Sequence, residues 1–308
     1  MLGFRTIGSR ALLVALVLLL GCIAAPAQKH SDLENIGKRD INKGTWNLYS
    51  LEREIELGRQ LAAEVERSSV LCADREVNAY IRTLTERLVR NSDAHVPFTV
   101  KIIDSDEIGA FALPGGHLYV NTGLILETHS EAELAGIMAH EIAHVTARHA
   151  VEQATKASVF SWLALPLIFI GGPVGYAVQQ AVGIAVPLAF LKFSRNAERE
   201  ADFLGLQYTY KAGYDPVAMV DFLERLKQKE KGRVPAIFSS HPMTKDRIQR
   251  AEQAIGKMLP AREEYVVTTS SYERIQKRLL ELRGWESLYQ LEESPGPVLR
   301  RRTESYQQ

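Results

Sequence analysis

One stretch of this 308-residue chain constrains its structure more than any other: residues 130–153 read SEAELAGIMAHEIAHVTARHAVEQ. We expect one helix over roughly this whole stretch, from Ser130 to Gln153; Ser130 can cap its start, and Glu133 completes a capping box. Farther along, His140 and His144 are four residues apart and therefore lie one turn apart on one helical face. Both imidazoles can then reach one ion, and neutral imidazole is a good zinc ligand.

Glu141 follows the first histidine and lies about 100° round the helix from His140. A carboxylate there is close to a bound metal without being aligned with the ligands, which is where a general base for an attacking water belongs. The alternative is a core helix whose histidines are only packed or hydrogen-bonded. The short motif does not decide between these interpretations, so the flanking segments must.

A site of this kind needs a third protein ligand. In one common pattern, glycine and histidine follow the second histidine by three and six places. Here those places hold Ala147 and Ala150, and His149 would lie on the opposite side of an unbroken helix. The third ligand is therefore expected from another helix.

The segment 194–202, SRNAEREAD, is the best source of that ligand. Glu198 and Asp202 are four residues apart and share a helical face, whereas Glu200 points about 200° away from Glu198. We expect Glu198 to bind the metal and Asp202 to support the site through a ligand. An acidic helix is more often a solvated face, but the apolar residues around this one argue against that alternative.

A small sheet is expected before the metal helix. Residues 98–104 have strand composition, and a Pro-Gly-Gly turn at 114–116 leads into a second strand at 117–121. An edge strand beside a peptidase metal can hold a peptide by adding it as a further strand, although a plain hairpin explains the pattern equally well. The residues of this expected edge strand are His117, Leu118, Tyr119, Val120 and Asn121.

A loop histidine and an arginine follow in FSSHPMTKDRI, residues 238–248. Thr244 can cap the next helix, which leaves His241 in the loop before it. Arg247 lies in the first helical turn, where a cation is unfavourable to the helix dipole, so it is expected to have another partner. Either side chain can stabilise an oxyanion; the alternative is an ordinary loop histidine and a surface arginine.

The N-terminus has the pattern of a targeting segment. Arg5 and Arg10 both precede the apolar run 11–20. This run is too short to span a bilayer and is typical of the hydrophobic part of a signal peptide. The run ends in Leu-Leu-Gly-Cys and resembles a bacterial lipobox, in which Cys22 would carry lipid. An ordinary secretory signal cleaved a few residues later is the alternative.

These patterns predict a lipoprotein signal peptide at 1–21, a polar tether at 22–45, one metallopeptidase domain at 46–284 and a C-terminal tail at 285–308. The tail is expected to be disordered after the Pro-Gly-Pro that follows Ser294. Lysine plus arginine and aspartate plus glutamate both number 37, and no basic patch suggests nucleic acid as a partner.

An apolar region at 157–193 is interrupted by prolines and glycines and contains no uninterrupted transmembrane span. It predicts two buried or interfacial helical pieces, with contact to a membrane as the sharper alternative.

Four motifs together resemble one zinc-peptidase family: ALPGGHLYVNTGL, SEAELAGIMAHEIAHVTARH, SRNAEREAD and SSHPMTKDRI, in that order and spacing. The family includes the CAAX prenyl endopeptidases, the heat-shock membrane peptidase HtpX and the periplasmic proteases BepA and LoiP. The resemblance covers about residues 48–272. The lipobox, and the lack of tetratricopeptide repeats after the catalytic region, look most like the LoiP-type lipoproteins.

The resemblance implies an α+β, mainly α, gluzincin-type domain with a small sheet bearing an edge strand. It implies one Zn²⁺ per chain held by His140, His144 and Glu198, with Glu141 as catalytic base and Asp202 in support. In BepA-like members, the loop histidine that matches His241 here can occupy the metal in a resting state.

The resulting expectation is a zinc-dependent endopeptidase, lipid-anchored through Cys22 on the periplasmic side of the envelope, at the outer rather than the inner membrane. Its substrates would be misfolded or unassembled envelope proteins. The alternative is an envelope chaperone or assembly factor with a mostly closed metal site and the 157–193 region as its client surface. The sequence predicts no oligomeric state.

Overall fold

The computed structural model describes residues 33–45, 47–155, 193–229, 241, 245–284 and 298–300. Their elements, in chain order, are α1 Leu51–Ser68, α2 Arg75–Arg90, β1 Thr99–Ile103, β2 Ala110–Leu113, a 3-10 turn Pro114–Gly116, β3 His117–Asn121, α3 Thr122–Glu127, α4 Glu131–Thr146, α5 Arg195–Lys211, α6 Val217–Lys229, α7 Lys245–Met258, β4 Tyr265–Thr268, α8 Ser270–Leu282 and β5 Val298–Arg300. The mainly helical α+β fold is confirmed. Within these ranges, every helix is too short or too polar to cross a membrane.

Helix α4 forms the centre of the fold, and all of its residues are buried. Small and apolar side chains surround it, and it packs against α2, α5, α6 and β2. Its start is as predicted, because the Ser130 hydroxyl accepts the N–H of Glu133. The Glu133 carboxylate instead accepts the N–H of His129 at 2.7 Å. A helix buried on all sides can hold polar groups only where they have partners.

The end of α4 differs from the prediction, because the helix stops at Thr146 rather than near Gln153. Arg148 has a φ of 55°, which lies in the left-handed region and costs a non-glycine residue about 1–2 kcal/mol. Its guanidinium donates to Glu54 at 2.6 Å and to the carbonyl of Tyr49 at 2.9 Å, which holds the turn. Residues 149–155 then form a separate helical segment.

The sheet has the order β1-β3-β2. The central strand β3 pairs in parallel with β1 and antiparallel with β2, so the expectation of an edge strand at 117–121 is wrong. The reason is topological: the chain returns between the two earlier strands, a pairing that local alternation cannot reveal. The misassigned residues are His117, Leu118, Tyr119, Val120 and Asn121. Strand β2 is an edge, since its outer side has no strand partner within the ranges described above.

The tether predicted at residues 22–45 ends earlier than expected, because the compact unit begins at Leu33. Ile36 and Ile41 are buried in the main core. Between them, Arg39 donates to Asp93 and, at 2.8 Å, to Gln207 on α5. Residues 33–45 are therefore part of the compact unit that begins at Leu33, because buried apolar and ion-paired contacts fix them.

The tail also differs from the expectation of disorder at one place, where β5 pairs antiparallel with β4. The predicted signal peptide, the rest of the tail, and all of the apolar region except Phe193 lie outside the described residues.

The contact between α4 and α5 is close enough to depend on a glycine. A Cβ added to Gly205 on α5 would lie 3.0 Å from the Cα of His140. Few real Cβ contacts are this short, so even an alanine would force the two helices apart.

We therefore expect Gly205→Ala to lower the free energy of unfolding by about 1–3 kcal/mol, measured by denaturant titration. Gly256→Ala in α7 is the matched control, because a Cβ there meets no atom within 4 Å. That control should be neutral or stabilising by up to about 1 kcal/mol, since alanine favours helix. Equal effects of the two changes would contradict a tight α4–α5 contact.

Candidate metal centre

The two histidines of α4 face each other across one turn. Their Nε2 atoms are 3.0 Å apart, and both side chains are buried. Two ring nitrogens directed at each other at this distance cannot both carry a proton. The arrangement therefore suits a shared proton or a shared cation.

Helix α5 brings Glu198 to the same point. One carboxylate oxygen lies 3.6 Å from His140 Nε2, and the other lies 3.5 Å from His144 Nε2. His241 completes the group, with its Nδ1 2.9 Å from Glu198 Oε1 and 3.4 Å from His140 Nε2. One ligand atom from each of the four residues lies within 4.8 Å of the others, so the group could hold a metal ion.

The distances test whether zinc fits this group. Ligands about 2.0–2.1 Å from a tetrahedral ion lie roughly 3.4 Å from one another. The separations between ligand atoms given above run from 2.9 to 3.6 Å and lie on both sides of that value. Imidazole nitrogen and carboxylate oxygen are also the donor types that zinc prefers. The residues present therefore fit a zinc ion.

The protonation of the three predicted ligands is uneven. Burial alone would lower the pKa of His140, but hydrogen bonds with Asp202 and Glu198 outweigh it and raise the pKa to about 9. Burial and the neighbouring His140 lower the pKa of His144 well below its usual range, which keeps this imidazole neutral. Burial opposes ionisation of Glu198, yet hydrogen bonds from His140 and His241 prevail, and its pKa is lowered. The carboxylate is therefore ionised, as a ligand must be.

Arg247 has the additional partners that its place in the helix predicted. Its Nε and Nη2 donate to the two oxygens of Asp202 at 2.8 and 2.7 Å. Its Nη1 lies 2.9 Å from Glu198 Oε2. Asp202 in turn lies 3.1 Å from Nδ1 of His140. This geometry places Arg247 behind the ligands, where it orients Glu198 and Asp202, and does not support the expected contact with an oxyanion.

Glu141 lies beside the ligand group. One of its oxygens is 3.2 Å from Nε2 of His241, and the backbone of Ala112 on β2 lies close enough to its carboxylate to favour the ionised form slightly. Burial raises the pKa of Glu141, although His241 and His140 act in the opposite direction. A carboxylate with a raised pKa is better matched to accepting a proton near neutral pH.

Two residues that contact the site were not predicted from the sequence. His149 Nδ1 lies 3.0 Å from His144 Nδ1, because the turn at Arg148 brings it back towards the site. Phe193 stacks on the ring of His144, with ring centroids 4.0 Å apart. An assumed unbroken helix placed His149 on the wrong side, and no local signal marks the left-handed turn.

The chain belongs to peptidase family M48, a family of metallopeptidases, whose family model matches residues 74–255. It is 30% identical over 261 residues to the beta-barrel assembly-enhancing protease of Yersinia pestis, covering 81% of this chain and 54% of that protein. It is 34% identical over 251 residues to the putative beta-barrel assembly-enhancing protease of Vibrio cholerae, covering 77% and 52%.

A mitochondrial relative is also similar. The chain is 29% identical over 221 residues to the mitochondrial metalloendopeptidase OMA1 of Schizosaccharomyces pombe, covering 69% of this chain and 64% of that protein. The chain spans about half the length of the two bacterial relatives. The family predicted from the four motifs is confirmed.

Proposed function

We propose that this protein is a zinc-dependent endopeptidase. The observation that carries the proposal is the convergence of His140, His144, Glu198 and His241 on one point, with Glu141 beside it. Bound zinc supplies Lewis acidity, which polarises a carbonyl and lowers the pKa of water. Glu141 takes the proton of the attacking water and returns it to the leaving amine.

Glu141→Gln tests this function directly. The amide keeps the size of the side chain but cannot accept the proton, so casein cleavage should fall about 10²- to 10⁴-fold. Zinc content, measured by elemental analysis, should remain at one per chain because Glu141 is not a ligand.

The same variant separates the enzyme from the alternative, an envelope chaperone with a closed metal site. A chaperone would keep its effect in a client-folding assay after Glu141→Gln. An unchanged rate of casein cleavage in a zinc-loaded variant would contradict the assigned base.

Strand β2, rather than β3, is the edge that we propose to hold the peptide. Asn121 donates its N–H to the carbonyl of Gly109 at 3.0 Å. Antiparallel pairs alternate, so Phe111 bonds to β3 while Ala110 and Ala112 direct their backbone groups away from it. The backbone of Ala112 also lies close enough to the carboxylate of Glu141 to lower its pKa, which supports an outer side that faces the candidate centre. A substrate added there as a strand would lie beside the base.

Ala110→Pro should weaken peptide binding about 2- to 10-fold, which corresponds to the net free energy of one backbone hydrogen bond. The zinc content should stay unchanged. Proline removes only the outward N–H at this edge position. The peptide KM and the zinc content of the folded variant are the measurements. Phe111→Pro is the control, because it removes a bond to β3 and should lower stability instead. An unchanged KM in Ala110→Pro would exclude this edge.

His241 is proposed to act as a switch. Its Nδ1 lies among the candidate ligand atoms, and its Nε2 lies 3.2 Å from a carboxylate oxygen of Glu141. In this position His241 takes up one ligand position and also contacts the proposed general base. A catalytic zinc needs an open position. Because His241 precedes α7 rather than lying within a helix, it can leave when substrate binds and then stabilise the oxyanion.

His241→Ala should therefore raise basal cleavage of casein, or self-cleavage, several-fold even if maximal turnover falls. The comparison is made at equal zinc content. A variant inactive towards every substrate would indicate a purely catalytic role, and one indistinguishable from wild type would remove His241 from the mechanism.

The substrates and location are proposed from the relatives and from the predicted lipobox. The bacterial relatives are named for beta-barrel assembly, which supports misfolded or unassembled envelope proteins as substrates. Polypeptide substrates follow from the peptidase family. We propose a lipid anchor at Cys22 that holds the protein on the periplasmic side, at the outer membrane.

Cys22→Ser should leave uncleaved precursor or move the protein from membrane to soluble fractions, because no lipid can then be attached. Immunoblots of fractionated cells give the result, with Cys72→Ser as the matched control. Unchanged processing and fractionation would exclude the anchor.

A further inference from the structure

We propose that His149 is a positioning residue for His144: a hydrogen bond between their Nδ1 atoms fixes the tautomer that directs the Nε2 lone pair of His144 at the metal. Glu200 orients His149 from its other side. This inference rests on the proposed zinc function.

Three side chains form a continuous line that ends at the ligand group. Nδ1 of His144 lies 3.0 Å from Nδ1 of His149. Nε2 of His149 lies 3.4 Å from a carboxylate oxygen of Glu200. Both histidines are buried, so water does not compete freely for the bond between them.

The proton positions along this line follow from what each atom must do. A neutral imidazole has one N–H donor and one acceptor nitrogen. If Nε2 of His144 binds a metal, its Nδ1 carries the proton and donates it to Nδ1 of His149. The proton of His149 is then on Nε2, which faces the carboxylate of Glu200. The opposite order would place a proton on Nε2 of His144, where it would block the metal.

The two histidine ligands are thus supported differently. Nδ1 of His140 meets the carboxylate of Asp202 directly, at 3.1 Å. For His144 a second imidazole stands between the ligand and the carboxylate. Histidine ligands commonly donate their other N–H to a fixed acceptor, which sets tautomer and ring orientation.

The turn that ends α4 is what places this acceptor. Arg148 has its left-handed φ of 55° immediately before His149, and the buried carboxylate of Glu54 holds Arg148 in place. Had the helix continued, His149 would have pointed away from the site. The otherwise unfavourable backbone conformation of Arg148 therefore places His149 beside the proposed ligand His144.

The first test is zinc affinity, measured by competition with a chromophoric chelator. His149→Phe keeps an aromatic ring but has no acceptor, and should lower the affinity about 10- to 100-fold. His149→Asn offers an amide oxygen to the same proton and should remain within about threefold of wild type. His95→Phe makes the same change at an exposed histidine and should match wild type. Glu198→Ala should lower the zinc affinity more than His149→Phe does, because it removes a proposed ligand.

Thermal unfolding in the presence of chelator shows whether each variant is folded. A folded His149→Phe protein with wild-type zinc affinity would overturn the positioning role. Wild-type protein that binds no zinc would overturn the proposed function itself, so the two failures are distinct.

The second test uses wild-type protein only and does not depend on the folding of any variant. Nitrogen-15 NMR of ring-labelled histidines in the zinc-loaded protein assigns each tautomer. We expect the proton on Nδ1 of His144 and on Nε2 of His149. A proton on Nδ1 of His149 would overturn the proposal.

Discussion

The packing of α5 against α4 is the contact on which the candidate centre depends. Gly205 lets the backbone of α5 approach that of His140, and the same approach brings Glu198 within 3.6 Å of the His140 ring. The side chain of Glu198 has a limited reach. A displacement of about one ångström between the helices would therefore move its carboxylate away from the ring nitrogens of His140 and His144. Function at this site is therefore a property of helix packing as much as of residue identity.

Charge balance explains why this core tolerates so many ionisable groups. Glu198 and Asp202 are buried and ionised, and Arg247 forms an ion pair with each of them. One guanidinium neutralises only one of the two carboxylates, and a buried unpaired charge is costly. A proton on His140 compensates for the second charge, and a bound cation would do so more fully. The arrangement of acidic and basic groups thus favours a cation at the point where the ligand atoms meet.

Local periodicity predicted much of the site. The four-residue spacing in α4 and in α5 is enough to place His140 with His144, and Glu198 with Asp202, because such pairs share a helical face. The Ser130 cap is equally local. The family resemblance supplied the assignment of Glu198 that spacing alone could only suggest.

The features that were missed depend on contacts between distant parts of the chain. The order of the sheet places β3 in the centre and β2 at an edge, which the local sequence of neither strand reveals. The turn at Arg148 is held by Glu54, almost a hundred residues earlier, and this turn changes the place of His149. Residues 33–45 look like a polar linker, yet Arg39 pairs with Asp93 in the interior. A window of ten or twenty residues contains none of these partners.

Anomalous diffraction at the zinc edge, from crystals of the zinc-loaded protein, tests the central claim most directly. We predict one zinc peak per chain, within about 2.0–2.2 Å of Nε2 of His140, Nε2 of His144 and a carboxylate oxygen of Glu198. A peak elsewhere, or a zinc ion that contacts Glu200 in place of Glu198, would contradict this account of the site.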